Sequence, residues 1–251
     1  MPGFSVRAAS LRAIFSTCAA ALLLILPVGT LQAALTLSNT RIVYPSDSRS
    51  TSVVVRNPSK QIYAAQVWIN TQADDSVTAV PLLPSPQLFR LDPGQEQLLQ
   101  ISALPNDLPD DRESLFFFNL QEIPQAVPGQ YNALNIALRT RLKLLYRPHA
   151  IKGSPATQAN QLQFSLHSAN GRTQLKAHNP TPFHITFSQL EIVGAQRSGK
   201  LEKLPMLSPF SDHYVPLEGV RPGPDLQARF SIINDFGGYT KPITLPIANR
   251  P

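Results

Sequence analysis

The chain has 251 residues, including 24 prolines, 12 glycines and a single cysteine, and only 15% are charged. A 43% apolar content is enough for a core and excludes intrinsic disorder, while so many prolines exclude a fold of long helices, which cannot house them. The net charge of +6 is spread without a Lys/Arg cluster, so a nucleic-acid partner has no support.

At the N-terminus, Arg7 and Arg12 precede an apolar stretch from Ala13 to Leu26. Pro27 and Gly29 end it, and Leu31-Gln32-Ala33 offers a small residue for cleavage. This pattern predicts a secretory signal peptide over 1–33 and an exported protein. The stretch is shorter than the roughly 20 residues a membrane span needs. Cys18 lies inside the apolar run and not at its end, which speaks against a lipoprotein. Cleavage would remove Cys18, Arg7 and Arg12, leaving 218 residues with 20 basic and 16 acidic side chains and no thiol. Disulfides, zinc thiolates and a cysteine nucleophile are then excluded, and stability must come from burial.

A chain of that length suits two sandwiches of about 100 residues each. The expected division is 34–150 and 151–251, with a hinge near Arg147-Pro148-His149-Ala150. In the first part, Thr51–Arg56 reads as a strand that ends at the turn Asn57-Pro58. Ile62–Ile69, Leu88–Leu91 and Leu98–Ile101 come next, with the turn Asp92-Pro93-Gly94 between the last two. Ser114–Leu120 carries Phe116, Phe117 and Phe118 in a row, which must face both sides of a sheet and so predicts a buried strand. In the second part, strands are expected at Leu162–Leu166, Gln174–His178, Phe183–Leu190, Leu226–Ile233 and Ile243–Ile247. Asn179-Pro180 closes a strand as Asn57-Pro58 does, 122 residues earlier. The two halves therefore read as copies of one architecture.

From Leu134 to Tyr146 the even positions are Leu, Ile, Leu, Thr, Leu, Leu, Tyr and the odd ones Asn, Ala, Arg, Arg, Lys, Leu. That pattern predicts an unusually long strand with one apolar and one cationic face. Two readings fit it. It is either a core strand running into the hinge or an edge strand whose apolar residues are shared with a partner.

No catalytic constellation is present. There is no G-x-S-x-G elbow, no H-E-x-x-H, no EF-hand loop and no phosphate-binding glycine loop. His178 and His184 could form a metal pair, but two unrelated strand or turn histidines fit as well, and His149, His167 and His213 are isolated. Asp107, Asp110 and Asp111 lack calcium-ligand spacing and read as a solvated turn. Catalytic, cofactor and metal sites are all expected to be absent.

Five stretches together resemble the periplasmic chaperones of pilus (fimbrial) assembly, the PapD-like partners of outer-membrane ushers. They are Thr40–Pro45, Pro86–Gly94, Leu108–Leu120 with Ile123-Pro124 just after it, Leu142–Pro148 and Ile233–Gly238. The resemblance implies an all-β fold of two immunoglobulin-like β-sandwich domains in an L-shaped (boomerang) arrangement. It implies that the chaperone lends an edge strand to a pilus subunit that lacks one, with Leu134, Ile136 and Leu138 entering the subunit's groove. It makes Arg41 and Lys143 the anchor for the subunit's C-terminal carboxylate, and Glu113, Arg147 and Asp235 an interdomain charge network. Pilus subunits and an usher are the implied partners, with no ATP, no cofactor and no catalysis. An exposed apolar edge strand would also allow the unloaded protein to cap itself as a dimer. The short connection from Pro124 to Leu134 and the absence of a disulfide match the short-loop branch of that family. Two other readings have weaker support. A pilus subunit or adhesin would need a longer alternating segment than Ala34–Ser38, and a carbohydrate-active enzyme would need paired carboxylates.

Overall fold

The computed structural model describes residues 35–75, 77–123, 137–169, 172–194, 199–201, 205–217 and 225–249. The segment read as a signal peptide, the Pro124–Leu134 connection and the expected groove residues Leu134 and Ile136 lie outside these. The first sandwich is built from β1 (Thr36–Leu37), β2 (Arg41–Pro45), β3 (Ser50–Arg56), β4 (Tyr63–Asn70), β5 (Leu82–Ser85), β6 (Leu88–Leu91), β7 (Glu96–Ala103), β8 (Ser114–Ile123) and β9 (Arg139–Arg147). Its two sheets run β1-β3-β7-β5 and β2-β9-β8-β4-β6. Alternation sends Val53, Val55, Leu99 and Ile101 of the first sheet and Val67, Phe118, Leu120 and Leu144 of the second into one core.

The phenylalanine run divides as its spacing demands. Phe116 and Phe118 are buried in the core, while Phe117 faces the other way beneath the Arg141 guanidinium, 3.9 Å from its ring centre. Tyr44, buried on β2, stacks on Tyr146 at 5.7 Å, and its hydroxyl accepts from the Ala103 N–H while facing the Ser48 and Arg49 carbonyls.

From β9 the chain passes through Pro148-His149-Ala150 to a four-residue helix, α1 (Pro155–Gln158), capped by the Ser154 side chain. The second sandwich comprises β10 (Gln163–Ala169), β11 (Arg172–Asn179), β12 (Phe187–Val193), β13 (Gly199–Lys200), β14 (Ser211–Pro216), β15 (Gln227–Ile232) and β16 (Ile243–Asn249), hydrogen-bonded in the order β13-β12-β15-β16-β10-β11-β14. Phe230 sits at the centre of its core, 5.4 Å from Phe164 and 5.6 Å from Phe187.

The two Asn-Pro turns are built alike. Asn57 is fully buried, donates to the carbonyls of Gln61 and Leu91, and accepts from the N–H and hydroxyl of Ser59. Asn179 is equally buried, donates to the carbonyls of Phe183 and Ser208, and accepts from the N–H and hydroxyl of Thr181. Each amide satisfies backbone groups that the turn would otherwise bury unpaired. Asn57→Ala and Asn179→Ala are each expected to cost about 2–4 kcal/mol in urea unfolding, because all four bonds vanish together. A loss below about 1 kcal/mol would show that the turns satisfy themselves without the amide.

Two expectations need correction. The strand after Asn179-Pro180 is β12, Phe187–Val193, and not Phe183–Leu190. Residues 181–184 bend instead, because the Phe183 carbonyl is held by Asn179 and the His184 N–H is held by Glu113 of the first sandwich. The segment Leu134–Tyr146 does not form one continuous strand over its described part. β9 starts at Arg139, and Leu138 precedes it. Strands β5 and β14 were not anticipated. Pro84 inside β5, with Pro81 and Pro86 on either side, obscures that strand, and β14 alternates Asp212, Tyr214 and Pro216 outward with few apolar residues to mark it.

Candidate functional site

β2 and β9 pair in parallel, in a ladder that starts at Arg41 opposite Lys143 and ends at Pro45 opposite Arg147. On β9 the apolar residues Leu144 and Tyr146 pack into the core, while Arg139, Arg141 and Lys143 alternate onto the outer face. Parallel pairing in that register brings the cation of β2 beside the last cation of the β9 series.

Both cations reach the second sandwich. Arg41 is 7% exposed, and its Nη1 donates to the Ile233 carbonyl at 3.2 Å. Its buried Nε finds no hydrogen-bond partner among the described residues. The Lys143 ammonium donates to the Thr186 hydroxyl at 3.1 Å. Burial, and then the Arg41 charge, hold the Lys143 ammonium below the usual lysine range. Burial likewise lowers Arg41, and the more distant Asp235 and Glu113 partly offset it. No carboxylate among the described residues forms an ion pair with either group. Two adjacent like charges, Arg41 buried and Lys143 half-buried, together with an unsatisfied N–H, make an electropositive recess that an anion would complete.

Beside it lies a saturated network. The Arg147 Nε donates to Glu113 Oε1 at 2.8 Å, and its two terminal nitrogens hold both oxygens of Asp235 at 2.8 and 2.7 Å. Burial opposes the Arg147 charge, yet the bonds to Asp235 and the Glu113 charge hold its pKa above the ordinary value. Glu113 has a fully buried side chain, and its second oxygen accepts from the His184 N–H at 2.7 Å. The Phe183 ring lies 5.1 Å from the Arg147 guanidinium. The structure thus brings Glu113, Arg147 and Asp235 into one cluster at the junction of the two sandwiches, with Arg41 and Lys143 alongside.

The β2 ladder stops at Lys143, so from Arg139 to Leu142 strand β9 has β8 on one side and no strand on the other among the described residues. Leu138 lies just before this open edge and is 46% exposed. Towards the hinge, Leu144 and Leu145 are both fully buried. The strand is therefore a core strand at its hinge end and an edge strand at the other. On its outer face Arg139 ion-pairs with Asp74, covers the Trp68 ring at 4.9 Å and donates to Asn119.

His178 and His184 are not brought together. His178 pairs with Asp212 at 2.7 Å on the surface of the second sandwich, whereas His184 packs against Glu113. No group of three or more His, Cys, Asp or Glu that could hold a metal occurs among the described residues. Asp111 is paired to Arg112, whose guanidinium also covers Phe210 of the second sandwich at 5.0 Å. Sequence reasoning missed Thr186, the Ile233 carbonyl and the seat of Gly237 on Thr40. Only Gly237 left a signal there, as part of a Gly-Gly pair.

The chain is similar to known proteins along most of its length. A family model described as "Pili and flagellar-assembly chaperone, PapD N-terminal domain" matches residues 34–152, and one described as "Pili assembly chaperone PapD, C-terminal domain" matches residues 157–244. The chaperone protein PapD of Escherichia coli is 35% identical over 86% of this chain and 87% of its own length. The probable fimbrial chaperone YadV of Escherichia coli K12 is 32% identical over 82% of this chain and 87% of its own. Its crystal structure superposes with a TM-score of 0.72, covering 85% of this chain and all of that one. The SafB chaperone of Salmonella enterica, solved in complex with the SafA pilin, has a TM-score of 0.73 at 28% identity, over 86% and 97% of the two chains.

Proposed function

The chain belongs to the PapD family of pilus-assembly chaperones, and from that premise we propose that Arg41 and Lys143 grip the C-terminal carboxylate of a pilus subunit while the open edge of β9 completes the subunit's fold. The observation that carries this reading is the recess itself. Two cations on adjacent strands are held against the second sandwich by a carbonyl and a hydroxyl, with no carboxylate paired to either among the described residues. The recess opens where β9 loses its neighbour. A carboxylate seated there pins the end of an incoming strand, and the free N–H and C=O groups of β9 can pair with the backbone of that strand.

Pinning fixes the register, because a slip of one residue would turn every apolar side chain of the pair outward. Leu134, Ile136 and Leu138 are the residues proposed to fill the subunit's groove. Each buried aliphatic side chain is worth roughly 1.5–3 kcal/mol before ordering costs are subtracted. Backbone pairing carries little sequence preference, so one chaperone can serve several subunits. Glu113, Arg147 and Asp235 hold the two sandwiches at the angle that keeps the recess formed, and they do not contact the subunit.

The protein acts in the periplasm after loss of residues 1–33, with 34–150 as the subunit-binding domain and 151–251 as the second. It works without catalysis, ATP or a cofactor, hands subunits to an outer-membrane usher and caps its own edge as a dimer when unloaded. The connection before β9 belongs to the short-loop type.

Leu134→Glu, Ile136→Glu and Leu138→Glu are each expected to abolish recovery of co-expressed fimbrial subunits from periplasm while the melting temperature changes little. A large loss of fold stability would assign these residues to the chaperone's own core instead. Amidating a subunit's C-terminus tests the anchor directly. Equal capture of the amide and the free acid would end that assignment.

A further inference from the structure

The turn after β15 touches the recess at two points and presents an aromatic ring that nothing described covers. Asn234 Oδ1 accepts from the N–H groups of Phe236 and Gly238, both at 3.0 Å, and Asn234 N–H donates to the Gly238 carbonyl at 2.8 Å. Asp235 is clamped by Arg147, and the Ile233 carbonyl holds Arg41. Gly237 has φ +83°, and a Cβ there would come within 2.1 Å of the Thr40 hydroxyl. Only glycine lets the turn close on the first sandwich at this point. Each neighbour of Phe236 is thus fixed, yet Phe236 itself is 96% exposed, and Tyr239 beyond it is 74% exposed.

A rigid backbone presenting a large ring to water is costly in isolation and well suited to binding, since little ordering entropy remains to be lost. Its position indicates what it would bind. Gly237 rests on Thr40, the residue before Arg41, and consecutive Cα atoms are about 3.8 Å apart. The Phe236 backbone therefore lies within about 14 Å of Arg41, the reach of about four residues of extended chain at roughly 3.3 Å each.

We propose that Phe236, with Tyr239 beside it, is the second-sandwich contact for an apolar side chain within the last four residues of the captured chain, so that the anchor reads the residues before the carboxylate as well as the carboxylate. This rests on the reading of Arg41 and Lys143 given above. It adds a selectivity for apolar C-terminal ends that a charge anchor alone lacks.

The test uses the mature chain and N-terminally labelled twelve-residue peptides with valine at alternate positions. The last four positions carry either valines or serines, and the end is either free acid or amide. Fluorescence anisotropy is expected to show the free acid bound more tightly than the amide, and the valine-ended acid about tenfold more tightly than the serine-ended one, the scale of one aromatic contact. Phe236→Ser should erase the valine preference and keep the acid preference, Phe236→Leu should retain most of both, and the melting temperature should not move. If the wild type does not distinguish acid from amide, the anchor assignment falls, and this inference with it. If the acid preference holds but Phe236→Ser keeps the valine preference within twofold, the anchor stands and the role of Phe236 is overturned.

Discussion

Lys143→Met is expected to give a chaperone that folds at least as stably as the wild type at neutral pH yet captures subunits on the order of ten- to a hundredfold less well, the loss of one charge-assisted bond. The ammonium sits half-buried beside Arg41, its pKa is depressed by burial and by that neighbour, and its described partner is a neutral hydroxyl. A lysine whose folded pKa lies below its unfolded value binds fewer protons in the folded state. Its contribution to stability therefore rises with pH between the depressed value and the ordinary one, and the cost of keeping it charged is fully present below both. Methionine removes that cost. Capture runs the opposite way. A carboxylate needs the charged form, so affinity should fall as pH rises through the depressed pKa. In Arg41→Ala the Lys143 titration should move upward, because one of its two causes is gone, and nuclear magnetic resonance of the labelled side chain would read it. A Lys143→Met protein more than about 1 kcal/mol less stable in urea would make the Lys143–Thr186 bond a structural tie and not a site held ready for an anion.

Arg147→Met is expected to lower stability by about 3–5 kcal/mol, the cost of leaving a buried charge without its partner. The Glu113 side chain is fully buried, and its remaining described contacts are the N–H and ring of His184. The double variant Arg147→Met/Glu113→Gln should recover part of the loss, since glutamine can still accept from the His184 N–H without a net charge. Additive losses in that cycle would show that the two groups act separately. Capture should also drop in the single variant. Asp235 precedes the turn that seats Gly237 on Thr40 and comes two residues after the Ile233 carbonyl that holds Arg41, so releasing Asp235 loosens the recess.

How far these features could be read in advance depends on the kind of signal each leaves. The alternation in β9 is local and has a period of two, so its cationic and apolar faces were legible, as was the split of Phe116, Phe117 and Phe118 between the two sides of β8. The paired Asn-Pro turns were legible as repeats, though not the four bonds each amide makes. The bend at 181–184 was not legible, because an apolar run beginning at Phe183 looks the same whether it joins a sheet or folds against a neighbouring domain. The Glu113 contact that bends it comes from 71 residues away. His178 and His184 look adjacent in the chain, yet the sheet sends one to the surface and the other to the junction.

Composition, turn residues and period-two alternation are properties of the chain, and by themselves they determined an all-β protein of two similar halves and the alternating strand before the hinge; Arg41 and Lys143 were marked only by the resemblance of their surrounding stretches to a family. Tertiary structure alone decided that Arg41 lies opposite Lys143 in a parallel ladder, that a carbonyl and a hydroxyl of the second sandwich hold those cations, that the β2 ladder reaches no further along β9 than Lys143, and that Gly237 rests on Thr40. Backbone carbonyls, register and close approach leave no mark in residue type. They arise from which distant segments burial brings together, and only then do two cations 102 positions apart in the sequence come to lie side by side against the second sandwich.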